Sequence, residues 1–265
     1  MDRTYWHQQT TSKPLYPQLL WSKPENRQLA GKLLIVGGNL YGFSAPAEAY
    51  KEAQVVGVGT ARVLLPSALQ KTIGRVFTAG EFAPSTPSGS FSKSALAELI
   101  SSGSWSDGVL LAGDLGRNSE TAILLEKFAV NFKGHMTVTK DAADYFINTP
   151  SNILSRPNTL LVISLAQLQK LALASGTIKP FTFDMDLLRV VEGLHEFTSK
   201  SEVQIVVKHL SNIFVAVNGQ ISTTKLDKDM DIWRVRAASY ACVWMLQNPN
   251  QPFEALTTAM YDLTK

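Results

Sequence analysis

The 265 residues are 45% hydrophobic and 18% charged, an ordinary globular balance with enough chain for one large domain and a sizeable core. A net charge of +3, spread along the chain without any Lys/Arg run, argues against a nucleic-acid partner. Cys242 is the sole cysteine, which excludes an intrachain disulfide and a zinc site built on cysteines.

Residues 1–30 are polar, with Trp6, Tyr16 and Trp21 dotted through them, and are expected to form an extended arm ahead of a domain over 31–265. The polar start lacks the form of a secretory signal, and no apolar run has the length of a membrane span. A cytoplasmic protein without a membrane partner is expected. Gly31–Val36 ends in four apolar residues and predicts a strand buried on both faces. Gly37-Gly38-Asn39 turns the chain, and Ala45–Val56 predicts a helix, with Ser44 as its N-cap and Pro46 in its first turn. Strand, glycine turn and helix N-terminus together form the layout of an anion- or nucleotide-binding edge, although neither GxGxxG nor a Walker A sequence is present.

Further strands are predicted at Ala61–Leu65, Val76–Phe77, Gly108–Ala112, His135–Thr139, Leu160–Ile163 and Val203–Lys208. Helices are predicted at Pro66–Ile73, Ser92–Ser102, Glu120–Phe132, Ala142–Phe146, Leu165–Ser175, Met185–Thr198, Ile232–Leu246 and Pro252–Leu263. Ala83–Ser90 reads as a loop, and Gly113–Asn118 as a second tight turn. Ser164 and Gln167 have capping-box spacing. Asn218-Gly219 predicts a type I′ hairpin between Ile213–Val217 and Gln220–Thr223. Ile232–Leu246 is apolar nearly all round and predicts a buried helix. Alternating strands and helices imply a mostly parallel, doubly wound α/β sheet, whose ligands bind at the carboxyl ends of the strands.

Several residues carry more than one reading. Asp114 faces a ligand or stabilises its own turn, and Asn118 caps the following helix or touches phosphate. Asp141 and Asp144 hold a metal, or sit at a solvated helix start. Lys208 meets a nucleotide phosphate or reaches solvent, and Arg234 and Arg236 with Trp233 form an anion or subunit contact or an exposed helix start. His135, His195 and His209 are too scattered for a metal cluster, and no GxSxG elbow supports a serine triad. Cys242 reads as a small core residue.

Gly31–Tyr50, GKLLIVGGNLYGFSAPAEAY, resembles the opening motif of the ADP/ATP-dependent NAD(P)H-hydrate dehydratases, a branch of the ribokinase-like superfamily. Asp107–Asn118, DGVLLAGDLGRN, resembles that family's second motif, a strand ending in a G-x-G-L-G turn. Lys32–Pro66 and Asp107–Lys140 match in order and spacing, and the last third only in outline. The resemblance implies a three-layer α/β/α ribokinase-like domain without a lid. It implies ATP or ADP with Mg2+, and NAD(P)H hydrate as ligand: the hydrate hydroxyl is phosphorylated and phosphate then eliminated. Family contacts to the hydrate fall on Ala45 and Gly116, with Ser44 in place of a glycine. The Thr-Pro-His segment falls on Ile163–Gln167, which has no His; the Asp-Ala-Asp run keeps Asp141; the Lys-Gly pair keeps Lys208.

The family's Gly-x-Gly-Asp turn falls on Met230–Ala237, MDIWRVRA, with Trp233 at the catalytic aspartate, or Asp231 there in a shifted register. Loss of a general base costs about two to four orders of magnitude in rate. Loss of anion-hole donors costs about as much again. The expectation is therefore a divergent, nucleotide- or dinucleotide-binding relative with weak or lost dehydratase activity, lined by Gly37, Gly38, Asn39, Ala45, Gly113, Asp114, Gly116 and Lys208, with no metal-ligating residue assigned. The alternatives are an active dehydratase or other ribokinase-like small-molecule kinase with a rearranged turn, for which Asp231 and Asp141 are the candidate bases, and a non-catalytic structural or regulatory subunit. Family members assemble through the first helix, and the small-residue stripe Ala45, Ala49, Ala53 and Val56 points to a homo-oligomer, dimer or tetramer.

Overall fold

The computed structural model describes residues 3–177, 181–228, 230 and 233–265. One ten-stranded sheet runs through the molecule in the order β1-β10-β9-β8-β7-β6-β5-β2-β3-β4. Its strands are β1 (Trp6–Thr10), β2 (Lys32–Gly37), β3 (Thr60–Pro66), β4 (Gly80–Ala83), β5 (Gly108–Gly113), β6 (His135–Thr139), β7 (Thr159–Ser164), β8 (Val203–His209), β9 (Asn212–Val217) and β10 (Gln220–Lys225). Neighbours are parallel except at β9, which is antiparallel to both β8 and β10. The apolar runs of β2 and β5 lie in the middle and are buried on both faces, as parallel strands covered by two helical layers must be.

One layer comprises α1 (Pro17–Leu20), α2 (Ser44–Val56), α3 (Gln70–Ile73), α10 (Arg234–Gln247) and α11 (Pro252–Asp262), packed on a core that includes Leu33, Ile35, Leu110, Val162 and Trp244. The other comprises α4 (Leu96–Trp105), α5 (Ser119–Asn131), α6 (Asp141–Asp144), α7 (Ser151–Leu154), α8 (Leu165–Ala174) and α9 (Leu187–Thr198), packed on Leu34, Val36, Leu111, Phe128 and Ile205. This is the expected three-layer, doubly wound α/β domain. α10 is buried from Val235 to Met245 except at Arg236, which explains its lack of a polar face; Ile232, its expected start, lies outside the described residues.

The chain lays down β2, β3 and β4 in one direction, then returns to place β5 on the other side of β2. β2 and β5 therefore flank the point where strand order reverses, and the two loops at their carboxyl ends border the crevice position at which open α/β sheets take ligands. Gly37 ends β2 where a Cβ would run into the Gly113 carbonyl. Gly113 itself has φ +104°, a conformation that side chains resist. The amide of Gly38 donates to the same Gly113 carbonyl (3.0 Å), locking the two turns together.

The structure departs from expectation in places. Residues 6–10 are an edge strand parallel to β10. Val76–Phe77 is not a strand; Val76 is exposed, and the edge strand β4 forms three residues later. α7 was not foreseen, because Ser151–Leu154 is a single turn too short to show a period. The N-cap of α2 is Phe43, not Ser44, for a reason that lies in the site. The stripe Ala45, Ala49, Ala53 and Val56 is buried within this chain, in the core beneath α2.

Replacing Gly37 with Ala is expected to destabilise the protein by about 2 kcal/mol, because the added methyl meets backbone that cannot move aside. Urea denaturation of the two proteins measures it.

Candidate functional site

The carboxyl ends of β2 and β5 face each other through Asp114. Its Oδ2 accepts from the Ala45 amide (2.7 Å) and the Ser44 hydroxyl (2.9 Å) at the start of α2. Its Oδ1 accepts from the Lys140 ammonium (2.8 Å), at the end of β6. A carboxylate is a stronger cap than a hydroxyl because it brings full negative charge to the positive end of the helix. That is why Ser44 enters the helix and donates to Asp114 instead of capping. Asn39 completes the corner: its Nδ2 donates to the Asp114 carbonyl (2.6 Å), and its Oδ1 accepts from the Tyr41 amide (2.8 Å).

Both ion-pair partners hold strained backbones. Asp114 has φ +57°, and Lys140 has φ 52° with ψ −138°, a combination that belongs to glycine. Such residues cost about 1–3 kcal/mol each and persist where the surroundings over-determine them.

Asp141 turns the other way, into the Gly113–Gly116 turn. Its Oδ2 accepts from the Gly116 amide (3.2 Å), and the carboxyl also faces the amides of Asp114 and Leu115. Its Oδ1 is buried without a well-formed hydrogen bond. Tyr145 closes the turn, donating to the Gly116 carbonyl (2.6 Å) and accepting from the Asn118 amide (3.2 Å). Asn118 caps α5, accepting from the amides of Glu120 and Thr121. Both backbone anion seats of the crevice, the α2 terminus and the 113–116 turn, are thus filled by carboxylates of the chain itself.

Gln167 extends the network toward β7, β8 and α10. Ser164 and Gln167 form the expected capping box. The Gln167 Nε2 donates to the Lys140 carbonyl (2.7 Å) and to Asp144 Oδ1 (2.9 Å), and its Oε1 accepts from Arg234 Nη1 (3.1 Å). Lys208, opposite Ser164 in the sheet, donates to the Met230 carbonyl (2.8 Å) just ahead of α10. Trp233 occupies the N-cap position of α10 with its side chain buried, and among the described residues no side chain caps the first amides of that helix. Arg236 reaches Glu52 on α2 (3.2 Å).

The structure therefore gathers Gly37, Gly38, Asn39, Ala45, Gly113, Asp114, Gly116 and Asp141 at one corner, with Lys208 two strands beyond β6. Asp231 lies outside the described residues. Asp141 and Asp144 serve different partners, and among the described residues no group of three His, Cys, Asp or Glu is placed to hold a metal. His195 and His209 donate to the carbonyls of Gly219 and Met185. Burial pushes the Cys242 thiol up to about 12, leaving it inert. Sequence reasoning missed Glu48, one turn along α2 from Ser44, and gave no role to Lys140; an i, i+4 carboxylate after Ser44 was the available signal for the first. A cavity of about 750 Å3 opens at the other end of the sheet between the ends of α7, α8 and α9. Its hydroxyls at Ser155, Ser175 and Ser201 bond their own helix carbonyls.

No family profile matches the sequence, and no curated protein matches it significantly. Solved structures do share its fold, which is ribokinase-like. A ribokinase-like superfamily protein from Enterococcus faecalis V583 superposes with a TM-score of 0.72 at 12% identity, over 100% of this chain and 88% of the other. YxkO of Bacillus subtilis, a member of the UPF0031 family, gives 0.66 at 11% over 95% and 87%. The ADP/ATP-dependent NAD(P)H-hydrate dehydratase of Bacillus subtilis, co-crystallised with ATP/Mg2+, gives 0.65 at 10% over 95% and 87%. Among the described residues no helix is long and apolar enough to cross a membrane.

The two aspartates titrate in opposite directions. Burial pulls the Asp114 carboxyl upward, but the Lys140 ammonium, the Ala45 amide and the Ser44 hydroxyl together hold it below its ordinary 3.8. Its stabilisation is complete above pH 3.8 and is lost as pH falls through the lower native value. Burial and the Asp114 charge raise Asp141 against the pull of three amides, so its contribution is complete below pH 3.8 and is lost as pH rises through its native value. Urea titrations of Asp114→Asn should show a deficit of about 1–3 kcal/mol at pH 7 that shrinks at pH 3. Those of Asp141→Asn should move oppositely, with wild type gaining on the variant as pH falls.

Proposed function

We propose that the crevice binds a nucleotide or dinucleotide, and that ATP- or ADP-dependent dehydration of NAD(P)H hydrate is weak or lost. The observation that carries this reading is the start of α10. A buried Trp233 stands there, followed by Arg234 tied to Gln167. No run of glycines precedes the helix to expose its amides to a phosphate. The fold is shared with a dehydratase co-crystallised with ATP/Mg2+, which supports a nucleotide as the ligand class. The position of the crevice at the strand-order reversal supports the same reading.

Asp114, Asp141 and Asp144 are each committed to donors within the chain, so the donor set does not fit a magnesium ion held by protein carboxylates. Magnesium would enter on the nucleotide, neutralising its phosphates. The binding groups would then be side chains: the Arg234 guanidinium and the Lys140 ammonium for phosphate, with Ser44 and Asn39 for hydroxyls.

Calorimetry with ATP, ADP, AMP and NADH is expected to give a binding isotherm for at least one of them; silence with all four ends the ligand-binding reading. Recovery of NADH from its hydrate with ATP and magnesium is expected to run at least about 100-fold slower than in an enzyme with an intact base. Full turnover would overturn the loss of activity.

A further inference from the structure

We propose that Glu48 is the proton-accepting carboxylate of this crevice, taking the proton of a ligand hydroxyl as that hydroxyl is phosphorylated. This rests on the reading that the crevice takes a nucleotide, and adds the residue through which the remaining turnover runs.

The assignment begins with position. Ser44, Glu48 and Glu52 follow at intervals of four and share one stripe of α2. Ser44 meets Asp114 at the mouth of the crevice, and Glu52 meets Arg236 in the first turn of α10. α2 and α10 run side by side in one direction, since Gln247 near the end of one donates to the Gly57 carbonyl at the end of the other (3.0 Å). Glu48 therefore lies one turn, about 5.4 Å, nearer the carboxyl ends of the strands than the Glu52–Arg236 pair, level with the start of α10.

The second argument is availability. Asp114 accepts three hydrogen bonds, Asp141 is drawn into the 113–116 turn, and Asp144 accepts from Gln167. Glu48 accepts no hydrogen bond from the described residues, although it is half-buried on the same face. The charged groups around it are Glu52 and Lys51 on α2, Asp114 beyond β5 and Lys140 beyond β6, with Arg236 of α10 spent on Glu52. Burial first, then the charges of Glu52 and Asp114, raise its carboxyl above 4.5 against the pull of Lys140 and Lys51. A carboxylate so placed is a better base than an exposed one.

The step balances without further groups. The ligand O–H bond breaks and its proton passes to Glu48; the freed oxygen bonds the terminal phosphorus of a nucleoside triphosphate; the bond from that phosphorus to the nucleoside diphosphate breaks, and the diphosphate leaves with the electron pair.

The test uses the full chain with ATP, magnesium and NADH hydrate, following NADH recovery against pH, alongside calorimetry with ATP. Wild type is expected to turn over slowly, with a rate that rises through an acid limb as Glu48 ionises. Glu48→Gln is expected to lower kcat about 100-fold or more, to remove that limb, and to leave ATP affinity unchanged. Glu48→Asp is expected to restore part of the rate and a shifted limb. ATP binding with no wild-type turnover overturns the assignment. So does a Glu48→Gln variant that keeps the rate and the limb, or one that loses ATP binding, since the residue is then structural. Failure of wild type to bind any nucleotide overturns instead the reading on which the assignment rests.

Discussion

The Asp114–Lys140 ion pair joins the turn after β5 to the turn after β6, and the same carboxylate holds the Ala45 amide in the first turn of α2. Three crossovers of the sheet thus meet on one side chain. Both partners hold backbone conformations that a glycine would adopt without strain, and both are shielded from solvent enough for their attraction to matter. The pair and its hydrogen bonds offset the strain, and the strain in turn points the carboxylate at the helix. Lys140 then passes its carbonyl to Gln167, whose other end reaches Arg234 at the start of α10. The geometry of the crevice from β2 to α10 follows from this one chain of contacts.

Its chemical consequence is that two places where backbone amides would welcome a phosphate are already occupied. Asp114 sits on the α2 terminus and Asp141 sits in the 113–116 turn; at the start of α10 the neighbouring side chain is a buried Trp233. In the proposed reading a ligand meets side chains: hydroxyl and amide at Ser44 and Asn39, cations at Lys140 and Arg234, and the carboxylate of Glu48. The sheet and its helical layers superpose on proteins that share only 10–12% of its residues. Buried runs and amphipathic stripes preserve such an architecture under wide substitution, whereas a phosphate grip needs glycines at particular positions.

How much of this could be read from the residues follows from the range of each interaction. β2 and β5 announced themselves as apolar runs ending in glycine, α10 as a helix without a polar face, and the β9–β10 hairpin by Asn218-Gly219, both of which hold positive φ. The edge strands β1 and β4 did not, because a strand paired on one side needs no apolar run. The glycine corner was legible, since the two turns carry their own sequence signals. Beyond the capping box at Gln167, the long-range roles of Lys140, Gln167 and Arg234 were not: Asp114 finds Lys140 across 26 residues, and Gln167 finds Arg234 across 67. Asp114 also took the capping position from Ser44, across 69 residues from Ala45. No local pattern records such a competition between caps.

The most direct measurement is a crystal structure of the protein grown with ATP and magnesium. The expected result is a nucleotide in the crevice with Asp114 still on the Ala45 amide and Lys140, Asp141 still inside the 113–116 turn, and the phosphates against side chains. A phosphate seated on the α2 terminus, with Asp114 swung away and Lys140 released, would contradict it.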